Sequence, residues 1–324
     1  MHVLTTNLAD LALPKECAHH ESIVTVGAFD GIHMGHQALI EGLVACAREE
    51  GRTAGLVTFY PHPLAVLRPE RPARYLTTPG EKAALLEPWG LDWMVVILFT
   101  PQLADMSPSA FVRVLRERLR MRALWVGPDF ALGRDRAGDL STLQELGHEM
   151  GFEVHEVPYL TYEETKVSST YIRTLVHRGR VEEAARLLGR YYRLPGEVVH
   201  GAQRGRCLGY PTANLAVQPD RVIPANGIYA TFVCLGPERY GSVTNIGVRP
   251  TFDHGDRSVE AHLFDYSGDL YGRDLVIEFV ARLRPEKRFA DVKALVEQLD
   301  RDAAQARAIL SDCRAAATEC PPAT

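Results

Sequence analysis

Short apolar runs alternate with helical patterns through the first half of the chain. Five runs have the length and the flanking turns of buried strands: residues 23–26, 54–58, 93–99, 123–126 and 153–157. Apolar residues recur at helical spacing over residues 37–50, and a second helix is predicted to begin with Ser107 as cap and Pro108 in its first turn. Alternating strands and helices predict an α/β fold, with a parallel sheet covered on both faces and a ligand crevice at the carboxyl ends of its strands.

The pattern changes near Tyr192. Beyond it, strand candidates are separated by turns rich in glycine, proline and asparagine, at residues 196–200, 229–235, 242–246, 259–264 and 275–283. This spacing predicts a small antiparallel barrel, against which a last helix that begins near Val292 packs. Residues 170–178 and 181–188, between the halves, are predicted helices that each end before a glycine. We therefore expect two domains, residues 1–189 and 190–324.

The composition of the 324 residues argues against several classes of protein. A net charge of −5 gives no basic surface of the kind that binds nucleic acid. No segment is apolar over the roughly 18 residues that a membrane span needs, and the N-terminus lacks the pattern of a secretory signal. The six cysteines include no C-x-x-C pair, which argues against a zinc site or a disulfide framework and favours reduced thiols in the cytoplasm. Nothing in the sequence indicates an oligomeric state.

A glycine-rich turn follows the first predicted strand and leads into the first predicted helix. Residues 27–36 read GAFDGIHMGH. Free N–H groups and the positive dipole at a helix N-terminus bind phosphate, and Gly31 and Gly35 allow a nucleotide to approach closely. His33 and His36 share a face of a helical turn, from which two imidazoles can donate hydrogen bonds to phosphate oxygens. Without this context, an H-x-x-H pair would more often be a metal pair or two exposed histidines.

This turn resembles the H-x-G-H nucleotidyltransferase motif in the form used by prokaryotic FAD synthetases. The similarity continues through VTFYPHP at 57–63, GPDFALG at 127–133, GD at 138–139 and KVSSTYIR at 166–173. It implies a Rossmann-like domain that transfers an adenylyl group from ATP to FMN. It also implies that Lys166, Ser168, Ser169 and Thr170 close over the ATP phosphates, with Asp129 near the nucleotide. Taken alone, the serine and threonine run would be a helix cap.

The same resemblance fills in the rest of the first site. The nucleotide-binding residues of the turn are Gly27, Phe29, Asp30, Gly31 and Gly35. The flavin-binding residues are Phe59, Pro61 and Leu132. The family usually has phenylalanine where this chain has Leu132, with its ring expected to lie against the flavin. Leucine keeps the apolar surface but loses aromatic stacking worth about 1 kcal/mol.

A second glycine-rich segment opens the barrel half. Residues 201–214 read GAQRGRCLGYPTAN. Taken alone, this string fits a phosphate loop and a basic surface turn equally well, and it lacks the usual P-loop spacing. It resembles the signature of riboflavin kinase domains, which continues as PANGIY at 224–229, NIGVRPTF at 245–252, VEAHLFD at 259–265 and DLYG at 269–272.

The kinase resemblance implies the roles of residues in the second site. Its ATP-binding residues are Gly201, Gly205, Arg206 and Gly209. Thr212 and Asn214 are implied to hold magnesium, since their oxygen atoms suit a hard cation. Glu260 is implied to be the catalytic base, which takes the proton of a ribityl hydroxyl as this group attacks the γ-phosphate of ATP. On the sequence alone, Glu260 would more often be a solvated charge on a strand.

Together the resemblances span residues 22–307 and imply a cytoplasmic enzyme with two ATP sites. One site phosphorylates riboflavin to FMN, and the other adenylylates FMN to FAD with release of pyrophosphate; both use ATP, with Mg²⁺ as the metal. Three other interpretations stay open: an aminoacyl-tRNA synthetase-like enzyme, a non-catalytic flavin-binding regulator, and a paralogue that acts on a modified flavin. The lack of a basic face argues against the first, and the intact polar residues of both sites argue against the second.

Overall fold

The computed structural model describes residues 1–70, 74–201, 209–248 and 257–314. The chain divides into two compact units, Met1–Ser169 and Thr170–Thr324. The first unit contains a six-stranded parallel sheet, and the second contains a closed six-stranded antiparallel barrel. The predicted α/β class, with a small C-terminal barrel and a terminal helix, is confirmed.

Strands and helices alternate in the first unit. The strands of its sheet are β1 (His2–Thr6), β2 (Ser22–Val26), β3 (Thr53–Tyr60), β4 (Trp93–Leu98), β5 (Met121–Val126) and β6 (Glu153–Glu156). The helices are α1 (Met34–Glu49), α2 (Pro63–Leu67), α3 (Pro79–Leu86), α4 (Pro101–Ala104), α5 (Pro108–Arg118) and α6 (Leu140–Met150). A hairpin of β7 (Thr161–Tyr162) and β8 (Thr165–Lys166) ends this unit, and α7 (Ser169–His177) follows, with all but its first residue in the second unit.

The central strands of the sheet are covered on both faces. All five residues of β2 are buried, because its side chains alternate between two apolar clusters. Val24 packs in one cluster with Phe111 of α5, and Ile23 packs in the other with Ile40 of α1. The side chain of Ser107 caps α5, as the sequence predicts. Each of the five predicted strands is present, with small shifts at its ends. The expectation of a buried strand is wrong for β6, which lies at the sheet edge and whose residues are exposed or half-buried.

The sheet order, β1-β4-β3-β2-β5-β6, reverses direction between β2 and β5. After β2 the chain adds β3 and β4 on one side, and it then returns to add β5 and β6 on the other. Open parallel sheets bind ligands outside the carboxyl ends of their strands at such a reversal. The segments that follow these ends begin at Gly27 and Gly127, in the two motifs that the resemblance placed around ATP.

The second unit is built around the barrel. Its strands are β9 (Tyr192–Val199), β10 (Ala213–Ala216), β11 (Gly227–Leu235), β12 (Glu238–Val248), β13 (Arg257–Leu263) and β14 (Asp274–Arg284), and its helices include α8 (Val181–Leu188) and α9 (Val292–Arg314). The closed order is β10-β13-β12-β11-β14-β9. Five of these strands were predicted. The sixth, β10, closes the barrel between β13 and β9.

Helix α8 belongs with the barrel. It packs against β9 and β14, and the Glu182 carboxylate accepts a hydrogen bond from the Arg282 main-chain N–H (2.8 Å). The compact unit therefore begins before α8, whereas the predicted domain boundary follows it at residue 189.

Helix α9 covers part of the outer wall of the barrel. Ala306 and Leu310 of α9 pack in one cluster with Phe232 and Val280 of the wall. The Arg284 guanidinium donates to the buried Asp302 carboxylate at 2.6–3.1 Å, which fixes the helix at a second point.

Two further observations bear on the expectations from composition. No helix in the described part of the chain is both long enough and apolar enough to cross a membrane. Cys17, Cys46 and Cys313 carry free thiols, but Cys234 is disulfide-bonded, so the expectation of reduced thiols is wrong at that residue.

Candidate active sites

The turn between β2 and α1 has an unusual backbone. Gly31 has a φ of +83°, and Phe29 and Ile32 adopt left-handed values of +46° and +40° although they carry side chains. Both of these side chains are buried, and their packing holds the strained conformation in place. The N–H groups of the turn are therefore presented in fixed positions just before α1 begins.

The two histidines of the motif stack on each other at the start of α1. His33 caps the helix, because its Nδ1 accepts a hydrogen bond from the His36 N–H (3.3 Å). The two ring centroids are 3.6 Å apart, and the Phe29 ring lies 4.9 Å from that of His36. A Cβ at Gly35 would lie 3.3 Å from the His33 ring, so glycine leaves room for the stack. The structure brings the imidazoles together as the three-residue spacing predicts.

The Asp30 carboxylate points into the protein. Asp30 is fully buried, and its oxygens accept hydrogen bonds from the N–H groups of Leu76 and Thr77 (3.0 Å each). The Thr77 hydroxyl in turn accepts from the Gly31 N–H (2.9 Å). In this arrangement Asp30 supports the turn by tying it to the segment before α3.

Lys82 is a residue of this site that the sequence reasoning missed. It lies on α3 and is 2% exposed, and its Nζ donates to the Ala28 carbonyl (2.7 Å). The Thr58 hydroxyl donates to the same carbonyl (3.1 Å). The peptide after Ala28 is thus fixed from two sides. A lysine in an amphipathic helix gives no signal of such a role.

The serine-rich segment lies against the same turn. Ser169, the first residue of α7, donates from its hydroxyl to the Asp30 carbonyl (2.9 Å). Upstream of Ser168, Lys166 on β8 pairs with Asp129, and its Nζ lies 3.5 Å from the centre of the Tyr159 ring. Thr170 follows Ser169 in the first turn of α7. The Lys166–Asp129 pair and the Ser169–Asp30 contact join segments that the resemblance placed around ATP.

Charge interactions set the ionisation of the Lys166–Asp129 pair. The Lys166 hydrogen bond, and after it the Tyr159 hydrogen bond, holds the pKa of the Asp129 carboxyl below its ordinary value of 3.8. Partial burial lowers the pKa of Lys166, but hydrogen bonds with Asp129 and Tyr159 outweigh it, and the pKa is raised overall. Both groups are therefore charged at neutral pH.

Two of the predicted flavin residues belong to one apolar cluster. Phe59 lies near the carboxyl end of β3 and packs edge-on against Phe99, with centroids 5.5 Å apart. Leu132 is buried in the same cluster and forms an isolated antiparallel bridge with Gly138. Pro61 follows β3 directly. The segments that carry these residues thus meet on one side of the sheet.

Three polar residues form a row across the barrel wall. Asn214 on β10 pairs with Glu260 on β13, and Glu260 pairs in turn with Asn245 on β12. Residues directly opposite each other in antiparallel strands point to the same face, with Cβ atoms about 5 Å apart. Val243, two residues before Asn245, packs toward α9, so the row lies on the outer face of the barrel.

The segment around Thr212 borders both this row and a cavity. A Cβ on Gly201 would lie 2.3 Å from the amide nitrogen of Asn214, so this position needs glycine. Thr212 lines a cavity of about 680 Å³ together with Leu263, Tyr266 and Tyr271. Aromatic and apolar walls beside a hydroxyl suit a flat heterocycle with a polar extension.

The segment before Thr212 carries the remaining predicted residues of the second site. Nδ1 of His262 donates to the Pro211 carbonyl (2.8 Å), which holds the segment before Thr212 against β13. Gly209 has a φ of +81°, a conformation that favours glycine. Gly205 and Arg206 lie outside the described residues. The sequence reasoning did not single out Asn245, because its pairing with Glu260 becomes visible only in the register of β12 and β13.

Comparisons with known proteins agree with the division of the chain into two parts. The family model described as FAD synthetase matches residues 15–171, and the one described as riboflavin kinase matches residues 188–310. A protein of Bacillus subtilis, named bifunctional riboflavin kinase/FMN adenylyltransferase, is 36% identical over 91% of this chain and 94% of its own length. One of Pseudomonas fluorescens with the same name is 39% identical over 90% of this chain and 94% of its own. The chain belongs to this bifunctional family.

A solved structure from Streptococcus pneumoniae is similar over nearly the whole chain. It is described as a macrolide-efflux protein, has a TM-score of 0.87 and 31% identity, and covers 95% of this chain and 99% of its own. That description applies to the protein from Streptococcus pneumoniae. Membership in the bifunctional riboflavin kinase/FMN adenylyltransferase family confirms the resemblance seen in the two glycine-rich segments.

Proposed function

We propose that the two units divide the two reactions of the family. Riboflavin is phosphorylated at the Asn214–Glu260 row of the barrel, and FMN is adenylylated at the His33–His36 turn of the parallel sheet. The observation that carries this division is the position of Glu260 directly beside Asn214. A carboxylate next to an amide oxygen that can bind a metal suits phosphoryl transfer to an alcohol, because that reaction needs a base. At the other site the Asp30 carboxylate is engaged by main-chain N–H groups.

In the kinase reaction the acceptor is the primary hydroxyl of the ribityl chain. A neutral hydroxyl is a weak nucleophile, so Glu260 takes its proton as the oxygen bonds to the γ-phosphorus of ATP. The bond from this phosphorus to the bridging oxygen breaks, and the products are FMN and ADP. Pairing with strands on both sides holds Glu260 in place for this step.

The residues beside Glu260 fit a magnesium ion. The Thr212 hydroxyl and the Asn214 amide offer the hard oxygen ligands that Mg²⁺ prefers, and close packing against Gly201 fixes the Asn214 amide. Held there together with ATP, such an ion would neutralise charge on the phosphates. The cavity lined by Tyr266 and Tyr271 adjoins Thr212 and has the walls to accept the adenine ring.

In the adenylyl reaction the acceptor is the phosphate of FMN, which is already an anion. Its oxygen attacks the α-phosphorus of ATP and pyrophosphate leaves, so the step needs alignment and charge stabilisation but no base. The N–H groups at the start of α1 bind phosphate, and the imidazoles of His33 and His36 stabilise the charge that develops. Lys166 adds a positive charge, and the cluster of Phe59 and Leu132 offers the flavin an apolar surface.

We further propose that the enzyme acts in the cytoplasm on small molecules alone, without a nucleic-acid partner. The net charge of −5 supports the second part of this proposal, because a nucleic-acid surface would be basic.

Incubation of the pure protein with riboflavin, ATP and Mg²⁺, followed by chromatography of the flavins, tests the proposal. We expect FMN to appear first and FAD later, and chelation of the metal to stop the phosphorylation. If riboflavin stays unchanged while a modified flavin is converted, the substrate proposed here is wrong.

A further inference from the structure

Asn245 is a polar residue to which the reactions above give no role. It faces Glu260 across β12 and β13, on the side away from Asn214. Its Oδ1 is inaccessible to solvent and has no hydrogen-bond partner among the residues that the structure describes. A buried amide atom without a partner is costly, so a native protein that keeps one commonly binds something there.

Asn226, in the same unit, shows how a structural asparagine differs. Its Nδ2 donates to the Glu286 carboxylate (3.2 Å), and its Oδ1 accepts from Nε of Arg257 (3.0 Å). Both ends of that amide are engaged within the protein. Among the described residues, Oδ1 of the Asn245 amide has no such partner, and this amide lies beside the proposed catalytic base.

We propose that Asn245 binds the ribityl chain of riboflavin, on the acceptor side of Glu260. This inference rests on the proposed kinase function of the barrel. The row of three residues then has a direction: Asn214 holds the phosphate end, Glu260 meets the reacting hydroxyl, and Asn245 lies one strand further on. The polyol must extend away from the phosphates, and one strand spacing, about 4.8 Å, is within its reach.

The chemistry of a carboxamide fits this role. An amide offers both a donor and an acceptor, and each hydroxyl of a polyol can use either. A second carboxylate at this position would stand directly opposite Glu260, and the repulsion between the two negative charges would be destabilising. Asn245 can therefore bind the chain without adding charge beside the base.

Asn245→Leu tests the inference, because leucine has a similar volume and no polar atom. If Asn245 serves the substrate, the variant loses an unpartnered buried atom, so its thermal unfolding midpoint stays level or rises. We expect the KM for riboflavin to rise about tenfold while the KM for ATP stays unchanged. Asn226→Leu is the matched control: its midpoint should fall, because Glu286 and Arg257 lose their partner, and its KM for riboflavin should stay unchanged.

A riboflavin analogue whose side chain keeps only the terminal hydroxyl adds a second readout. Wild type and Asn245→Leu should show the same KM for this analogue, because the hydroxyls that Asn245 binds are missing. If leucine prevents folding, Asn245→Ala, which also has no polar side-chain atom, provides the same comparison. An unchanged riboflavin KM in a folded variant would overturn the inference and make Asn245 structural. Failure of the wild type to phosphorylate riboflavin would instead contradict the proposed function.

Discussion

At the scale of single residues, Lys166 of the first site belongs to an exposed ion pair. Lys166 and Asp129 have side chains that are 42% and 70% exposed, and the ammonium also lies over the Tyr159 ring. Exposed ion pairs of this kind contribute little to stability, because water screens both charges. The contacts serve instead to hold the lysine in one position, where the proposed adenylyl reaction requires it to meet phosphate.

Replacing Lys166 by methionine should therefore affect catalysis more than folding. We expect FAD formation from FMN to fall about 10²–10³-fold, the usual effect of losing one donor to developing charge. The pKa of Asp129, now lowered by Lys166, should rise toward 3.8, as an NMR titration can measure. Because the pKa of Asp129 is lower in the folded protein, the carboxylate adds stability at a pH above its unfolded-state pKa, and this stability is lost as the pH falls through its folded-state pKa. The dependence of folding stability on acid pH should therefore be smaller in the variant. Lys15→Met, at an exposed lysine, should change neither quantity.

Gly201 sets the position of Asn214 by lacking a side chain. Because a Cβ there would come 2.3 Å from the Asn214 amide, Gly201→Ala must displace one of them. We expect riboflavin phosphorylation to fall about tenfold or more, since small displacements at the proposed metal and phosphate site are costly, and adenylylation of added FMN to persist. Gly80→Ala provides the control, because nothing lies within 4 Å of its Cβ and its φ is outside the left-handed region. Normal kinase rates in Gly201→Ala would show that phosphorylation does not depend on the exact position of Asn214.

At the scale of secondary-structure elements, α9 depends on the buried pair of Arg284 and Asp302. Asp302→Ala would leave the guanidinium, whose side chain is 17% exposed, without its carboxylate. Breaking a buried pair in this way typically costs about 3–5 kcal/mol of unfolding free energy. Glu297→Ala, on the same helix, breaks an exposed pair and should cost less than about 1 kcal/mol. Urea denaturation of the two variants measures the difference, and equal effects would mean that Asp302 does not anchor α9.

The sequence predicts those elements whose burial is uniform. Strands β2 to β5 are covered on both faces and therefore read as continuous apolar runs. Strand β1 escapes prediction because it lies at the sheet edge with Val3 about half exposed, and β10 because it has only four residues and begins within the glycine-rich segment 201–214.

The candidate sites divide in the same way. The turn at 27–36 is a local pattern, so the sequence suffices to predict that its two histidines share a face. The burial of Asp30 depends on Thr77, 47 residues away, and the contact of Lys82 depends on Ala28, 54 residues away. Pairings between segments so distant in the chain are decided by packing, which no local spacing records.

At the scale of the whole molecule, the two units differ in architecture and in the chemistry that they support. We expect a fragment of residues 170–324 to fold and to phosphorylate riboflavin without producing FAD. A fragment of residues 190–324 lacks α8, with its packing on β9 and β14 and the Glu182–Arg282 hydrogen bond, and should unfold at a lower temperature. Equal stability of the two would favour the boundary at residue 189, and FAD formation by either would contradict the division of labour.

The central claim is that each unit carries one reaction. Its most direct test is to measure both activities in two variants of the full chain, His36→Ala and Glu260→Gln. His36→Ala should lower FAD formation about 10²–10³-fold and leave FMN formation nearly intact. Glu260→Gln should lower riboflavin phosphorylation about 10²–10⁴-fold, while FAD still forms from added FMN. If either variant, folded like the wild type, loses both activities together, or if Glu260→Gln loses neither, the division proposed here is wrong.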